Sequence, residues 1–194
     1  MYEAGVTRPG AMAAVLGKLH DSIESLCELA TRSAGQVVPA NYNTAEQVVV
    51  SGEVSGVEKL SDLAKLNGAK RTLRLPVSGA FHSPLMQPAE EGFRESVMST
   101  EFAEPAFPVY SNVTEEPSGS APEARELLIH QLTSPVRWAG EIQRIAKRFP
   151  EALFVEMGPG NVLTGLLGRN VPSARGIACG SPADIEKLYN LLAA

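Results

Sequence analysis

Hydrophobic and polar positions follow two periods over residues 10–77, and these periods predict two kinds of element. Four short runs rich in apolar or β-branched residues predict β-strands at 10–17, 36–43, 47–52 and 70–77. Two segments between them carry apolar residues at helical spacing, which are Ile23, Leu26, Cys27 and Ala30, then Val57, Leu60, Leu63, Ala64 and Leu66. The predicted order is β-α-β-β-α-β, which is the ferredoxin-like arrangement.

The ends of these two helices carry local signals. Asp21 is predicted to cap the first helix, and Glu24 three positions later completes a capping-box pattern. Gly68 follows the second helix and is predicted to stop it, because glycine readily adopts the left-handed conformation found after helix ends.

The pattern changes after Pro76. Helices are predicted at 84–98, 123–132, 136–148, 161–169 and 182–193, and strands at 107–113, 152–158 and 174–180. Pro135 is placed in the first turn of the helix at 136–148. Strands and helices alternate here with short connections, so this part of the chain predicts a parallel α/β layer.

Composition and charge narrow the class of protein. The chain has 194 residues, a net charge of −5 and a pI near 5.3, which argues against a nucleic-acid partner. Cys27 and Cys179 lie far apart, which favours two buried thiols in a reducing cytoplasm over a zinc site. The first ten residues lack the apolar core of a secretion signal, and no apolar run reaches membrane-spanning length. We therefore expect a cytoplasmic protein without a metal and without a membrane partner.

His82 is the strongest candidate for chemistry. It follows a strand and turn and precedes a helix, which is where functional residues concentrate in α/β folds. His20 and His130 lie at ordinary helical positions. A catalytic histidine needs a nucleophile, but no serine of the chain lies in a G-x-S-x-G elbow. Ser78 and Ser83 are too close to His82 in sequence for nucleophile-base geometry.

Three other patterns have weaker functional interpretations. The segment GPGN at 158–161 could hold an anion at a helix N-terminus, although a tight turn is the favoured interpretation. The basic run 70–74 is also typical of a solvated strand edge. Asn41 and Asn43 point to the same side of a strand, as polar residues on a solvent face usually do.

Six segments occur in an order and spacing that resemble one family. They are GAMAAVLG, NYNTAEQVVVSG, VSGAFHSPLM, YSNVT, HQLTSPVRW and VEMGPGNVLTGL. Together they resemble the malonyl-CoA:acyl carrier protein transacylases of fatty acid synthesis, over essentially the whole chain. The acyltransferase domains of polyketide synthases share the same core, so a polyketide enzyme is an alternative.

The resemblance implies an α/β fold in which a ferredoxin-like βαββαβ subdomain, residues 10–77, is inserted in an α/β-hydrolase-like core. Residues 78–194 would be the C-terminal half of that core, and residues 1–9 the end of a core helix or a linker. The family uses no cofactor. It moves malonyl from malonyl-CoA to a serine, and then to the phosphopantetheine thiol of acyl carrier protein.

The resemblance also implies roles for individual residues. His82 matches the family's catalytic base, and Gln131 matches the residue whose backbone carbonyl orients that imidazole. Phe81 resembles the bulky residue of malonyl-selective members. Asn41 and Met12 match positions that line the substrate cleft.

Lys70 and Arg71 fall where the inserted subdomain faces the mouth of the cleft. Acyl carrier protein is strongly acidic, so we expect these two charges to steer its docking.

The family carries the serine elbow, an oxyanion-hole glutamine and a malonyl-binding arginine ahead of the position that matches Met1. None of these three matches a residue of this chain. The expectation is a C-terminal fragment of a full transacylase, in preference to one half of a split enzyme or a non-catalytic relative that binds acyl carrier protein. In each case the incomplete core would expose a sheet edge and apolar surface.

Overall fold

The computed structural model describes residues 8–193, and the chain divides into two compact units after Glu141. The linker or core-helix end predicted at 1–9 therefore lies mostly outside the described residues. The boundary predicted after Val77 separates an inserted subdomain from the core of the fold, which is not the same as a division into compact units. It stays a prediction.

The first unit contains a four-stranded antiparallel sheet of order β2-β3-β1-β4. Its strands are β1 (Ala11–Leu16), β2 (Val37–Thr44), β3 (Gln47–Gly52) and β4 (Arg71–Arg74). Two helices, α1 (Ile23–Ser33) and α2 (Val54–Leu66), complete the predicted β-α-β-β-α-β order of elements.

Strand β1 is buried on both faces because its residues alternate between two apolar clusters. Ala11, Ala13 and Val15 pack with Leu26 of α1 and Leu60 of α2. The other face contributes to a smaller cluster, which we call the second-face cluster: Met12, Ala14, Ala40 and Val49, with Leu75, Val77 and Phe81 packed against it.

The helix ends differ from the sequence predictions in two places. Ser22, not Asp21, caps α1, and its Oγ accepts a hydrogen bond of 3.2 Å from the Ser25 N–H. The Asp21 carboxylate instead accepts from Asn67 Nδ2 at 2.6 Å, a partner that local sequence cannot reveal. Leu66 is 85% exposed and lies off the buried face of α2, while Gly68 follows that helix with a φ of +100° as predicted.

The segment after the sheet is less regular than predicted. Strand β4 ends at Arg74, and a 3-10 turn (Pro84–Met86) precedes helix α3 (Gln87–Met98). The strand predicted at 107–113 is wrong in extent, because only β5 (Tyr110–Ser111) pairs, with β6 (Glu116–Pro117). Proline at position 108 lacks the N–H that a longer ladder needs.

The two following helices are α4 (Ala121–His130) and α5 (Trp138–Arg148). Pro135 lies three residues before α5, so its placement in that helix's first turn was wrong. Val136 is held in a bridge to β2, since its N–H donates to Ala40 and its carbonyl accepts from Tyr42, both at 2.8 Å. This pairing keeps the backbone extended at Val136, so the helix begins later than predicted, at Trp138.

The second unit contains a two-stranded parallel sheet of β7 (Leu153–Met157) and β8 (Arg175–Cys179). Helices α6 (Val162–Asn170) and α7 (Pro182–Leu192) alternate with these strands, as the sequence predicted. Its buried side chains include Ile142, Leu166, Leu167 and Cys179. Among residues 8–193, no helix is long and apolar enough to cross a membrane.

Candidate active site

His82 occupies a constrained backbone position directly after the sheet. Its φ is +57°, which a residue with a side chain adopts only when its surroundings impose it. The fully buried Ser83 supplies that constraint, because its hydroxyl donates to the Ala80 carbonyl at 2.6 Å and accepts from the Leu85 N–H at 3.3 Å. The turn that carries His82 is therefore fixed on both sides.

The imidazole of His82 is oriented by the backbone of Gln131. Nδ1 lies 3.0 Å from the Gln131 carbonyl oxygen, at the C-terminal cap of α4. A carbonyl only accepts, so Nδ1 carries the proton in the neutral ring and Nε2 keeps its lone pair. Gln131 Nε2 donates to the Ser134 carbonyl at 3.1 Å, which stabilises the turn. This arrangement presents Nε2 as a base.

A close backbone contact sets the position of the His82 turn against the sheet. A Cβ at Gly10 would lie 2.6 Å from the Ala80 Cβ and 2.7 Å from its nitrogen, so only glycine fits there. The Gly10 N–H also donates to the Ser78 carbonyl at 3.1 Å. The turn thus rests directly on the chain that enters β1.

The three predicted substrate positions lie near this turn in the fold. Met12 and Phe81 belong to the second-face cluster, with Met12 buried and Phe81 half-buried. Asn41 lies opposite Val49 of that cluster in the β2–β3 register, and its backbone bridges to Val136, five residues after Gln131.

Lys70 and Arg71 lie at the other end of the sheet. Arg71 is opposite Leu16, the last residue of β1, whereas Met12 is four residues earlier, or about 13 Å along the strand. Lys70 Nζ lies 3.7 Å from the exposed carboxylate of Glu46. The structure therefore does not bring these two charges to the His82 turn.

The GPGN turn at 158–161 precedes α6, whose N-terminus is occupied by the chain's own carboxylate. Glu156 accepts from the Leu163 N–H at 3.0 Å and from the Thr164 N–H and hydroxyl at 2.7 Å. These bonds, first that from the Thr164 backbone, lower the pKa of Glu156. The turn interpretation fits this geometry better than an anion site does.

The cysteines and acidic groups of the described residues show no metal geometry. Burial, and secondarily the charge of Glu24, raises the pKa of the Cys27 thiol to about 12, so this thiol is inert at neutral pH. Within residues 8–193, no group of three or more His, Cys, Asp or Glu side chains is placed to hold a metal ion.

Two features near the site were not predicted. Ser51 is fully buried opposite Met12, and its hydroxyl has no hydrogen-bond partner in the described structure. The second is a contact between Glu90 and Thr133, whose oxygens are 2.6 Å apart. Thr133 stands two residues from Gln131 in the segment HQLTSPVRW, and that proximity was the only available signal.

Comparison with known proteins identifies the family. A family model described as the acyl transferase domain matches residues 2–182. The chain belongs to this acyl transferase family.

Relatives and solved structures agree with this assignment. The malonyl CoA-acyl carrier protein transacylase of Bacillus subtilis is 39% identical over 186 residues, covering 96% of this chain and 58% of the relative. The acyl-carrier-protein S-malonyltransferase of Bartonella henselae superposes with a TM-score of 0.91 and 33% identity, covering 99% of this chain and 62% of that one.

A malonyl-transacylase solved in complex with its type II PKS acyl-carrier protein gives a TM-score of 0.87 and 37% identity, over 94% of this chain and 59% of that one. The resemblance to the transacylase family is thus confirmed, and the α/β fold is that of these acyltransferases. The chain spans less than two thirds of the length of each of the three proteins.

Proposed function

We propose that this chain supplies the base of an acyltransferase that moves malonyl from malonyl-CoA to the phosphopantetheine thiol of acyl carrier protein. The observation that carries the proposal is the 3.0 Å contact between His82 Nδ1 and the Gln131 carbonyl, which leaves Nε2 free to accept a proton. Identity of 39% to a malonyl transacylase supports the choice of reaction.

The proposed reaction runs in two half-reactions through a seryl ester. His82 Nε2 takes the serine proton as the serine oxygen attacks the malonyl thioester, and it returns that proton to the coenzyme A sulfur as the C–S bond breaks. It then takes the proton of the phosphopantetheine thiol, whose sulfur attacks the ester, and returns that proton to serine. The Gln131 carbonyl holds the ring but, being neutral, stabilises the imidazolium less than a carboxylate would.

The serine nucleophile is proposed to come from a segment outside this sequence, because no serine here lies in a G-x-S-x-G elbow. In this proposal the four-stranded unit is the ferredoxin-like insert, which its strand order β2-β3-β1-β4 supports. The β7–β8 pair would be part of a larger parallel sheet, since both strands are only half-buried in the described structure.

The substrate side of the site is proposed to use Phe81, Met12 and Asn41, with malonyl-CoA as the substrate and no cofactor. Phe81 would restrict the space beside the malonyl methylene. One extra methyl group in such a pocket is worth about 1–3 kcal/mol, so the selectivity from this residue is modest. A cytoplasmic location stays a prediction.

Lys70 and Arg71 are proposed as steering charges for acyl carrier protein. Their distance along β1 from Met12 suits a role at the rim better than one in the reaction itself. Reversing both charges should raise the KM for acyl carrier protein and leave that for malonyl-CoA unchanged. Equal changes in both KM values would contradict this role.

The decisive experiment measures the intact mass of the purified chain after incubation with malonyl-CoA, alone and with a co-added segment that carries the serine elbow of the Bacillus subtilis relative. We expect a malonyl adduct on the co-added segment only, and its loss in a His82→Gln chain. An adduct on this chain alone would reveal a nucleophile within it. No adduct in either case, with acyl carrier protein still bound, would favour a non-catalytic binding module.

A further inference from the structure

Two ties join the His82 segment to the turn that follows α4. The first is the contact between His82 Nδ1 and the Gln131 carbonyl. The second lies one helical turn into α3, where Glu90 Oε2 accepts a hydrogen bond of 2.6 Å from the Thr133 hydroxyl. His130 contributes to the second tie, because its Nδ1 lies 3.5 Å from Glu90 Oε1.

We propose that Glu90 and Thr133 are positioning residues, which hold the Gln131 carbonyl in place for His82. This inference rests on the proposed function for its biological meaning. Its structural content concerns only the orientation of the His82 ring.

The connectivity of the chain supports the proposal. His82 and Glu90 belong to one segment, joined by Ser83 and a single 3-10 turn, while Gln131 and Thr133 belong to one turn. One tie alone would allow the two segments to rotate against each other, and the second tie restricts that rotation. Within the turn, the Thr133 N–H bonds to the His130 carbonyl at 3.2 Å, so a displacement of Thr133 is passed to its neighbours.

The chemistry of the second tie makes it stronger than an ordinary surface contact. The acceptor is a carboxylate, and short hydrogen bonds to ionised acceptors are roughly twice as strong as neutral ones. The Glu90 side chain is only 15% exposed, which limits competition from water and screening by salt. Arg94, one turn later in α3, lies 3.7 Å from the same carboxylate.

The same helices carry a matched control. Arg94 also pairs with Glu126 of α4 at 2.9 Å, but that carboxylate is 47% exposed and lies five residues before Gln131. Breaking this pair weakens the contact between α3 and α4 without touching the turn that carries the carbonyl.

The test is imidazole ¹⁵N NMR of the whole chain, which reports the tautomer of each neutral histidine ring and needs no transacylase activity. The three histidines are assigned with His20→Gln and His82→Gln variants. Thr133→Val removes the hydroxyl, Thr133→Ser keeps it, and Glu126→Gln serves as the control. Glu90→Gln is a second variant that keeps the shape of the acceptor but removes its charge.

We expect His82 to be the Nδ1–H tautomer in the unmodified chain, in Thr133→Ser and in Glu126→Gln. In Thr133→Val the His82 ring should become a mixture of the two tautomers. In Glu90→Gln the tautomer population of His82 should change in the same direction but by less. An unchanged His82 tautomer in both Thr133→Val and Glu90→Gln would overturn the inference, as would an equal shift in Glu126→Gln. If the unmodified chain itself lacks the Nδ1–H tautomer, the basis of the proposed function fails instead.

Discussion

Strands β1 and β7 are similar in sequence character but differ in burial. The residues of β1, AMAAVL, are almost all buried, because the sheet has apolar clusters on both faces. The residues of β7, LFVEM, are apolar except for Glu156, but four are half-buried and Met157 is 67% exposed. An apolar run therefore predicts a strand, while its burial depends on elements that the run cannot encode.

This difference has an energetic consequence. In the first unit a side chain such as Leu60 is surrounded by strands and a second helix, so truncation leaves a cavity. In the second unit a comparable side chain on β7 already contacts water. We therefore expect a core substitution to lower the free energy of unfolding more in the first unit than in the second.

The largest effect is expected for Leu60→Ala. Leu60 is fully buried, and its truncation should lower the free energy of unfolding by about 2–5 kcal/mol, measured by urea denaturation. The same substitution at half-buried Leu153 of β7 should cost clearly less.

Leu66→Ala is the control on the same helix as Leu60. Leu66 is 85% exposed, so its truncation should change the free energy of unfolding by no more than about 0.5 kcal/mol. A cost at Leu153 equal to that at Leu60 would show that β7 is covered as fully as β1.

The next effect is expected at Gly10, where the first unit tolerates no added atom. Gly10→Ala places a Cβ 2.6 Å from the Ala80 Cβ, so the Ala80 backbone must move, at a cost of about 1–3 kcal/mol. The displacement reaches His82 two residues later, and its ¹⁵N spectrum should lose the single Nδ1–H tautomer. An unfolding free energy and a His82 spectrum like those of the unmodified chain would show that this contact is not tight.

A smaller effect is expected for the carboxylate of Glu141 in the first turn of α5. Glu141 is 7% exposed and its Oε2 has no hydrogen-bond partner in the described structure. Burial, and then the charge of Glu115, raises the pKa of this carboxyl. The folded chain therefore retains this proton more strongly than the unfolded chain, so stability falls as pH rises from the usual carboxyl pKa through the raised one. Glu141→Gln should remove this loss, with a gain of about 1 kcal/mol near pH 7.5 and little near pH 4.

Glu156 of the second unit should give the opposite dependence of stability on pH. Its pKa is lowered by hydrogen bonds from α6, so its stabilisation is present above the usual carboxyl pKa and is lost as pH falls through the lowered one. Glu156→Gln should therefore destabilise the chain at neutral pH and matter less in acid. The same pH trend in both variants would contradict one of the two assignments.

Local patterns in the sequence predicted most elements of both units, and the resemblance to the transacylase family implied the contact between His82 and Gln131. Several of the errors occur where a distant residue intervenes. Asn67, 46 residues from Asp21, engages that carboxylate and leaves the helix cap to Ser22. Glu90 and Thr133 are 43 residues apart, and nothing near either residue signals the other. Such contacts depend on packing, which periodicity and capping rules do not describe.

The smallest effect is expected at Gly165, where the second unit is open. A Cβ at this position in α6 would meet nothing within 4 Å, and the Gly165 N–H already bonds to the Asn161 carbonyl at 3.0 Å. Gly165→Ala should therefore stabilise the chain by about 0.5–1 kcal/mol, because alanine loses less backbone entropy in a helix.

Gly176 of β8 is the contrasting position in the same unit. A Cβ there would lie 2.7 Å from Cδ2 of the buried Leu167, so Gly176→Ala should give no gain and a modest loss. Urea denaturation of both variants compares them directly. A loss at Gly165 would mean that another surface already covers this face of α6, and the second unit would then resemble the first in being packed on all sides.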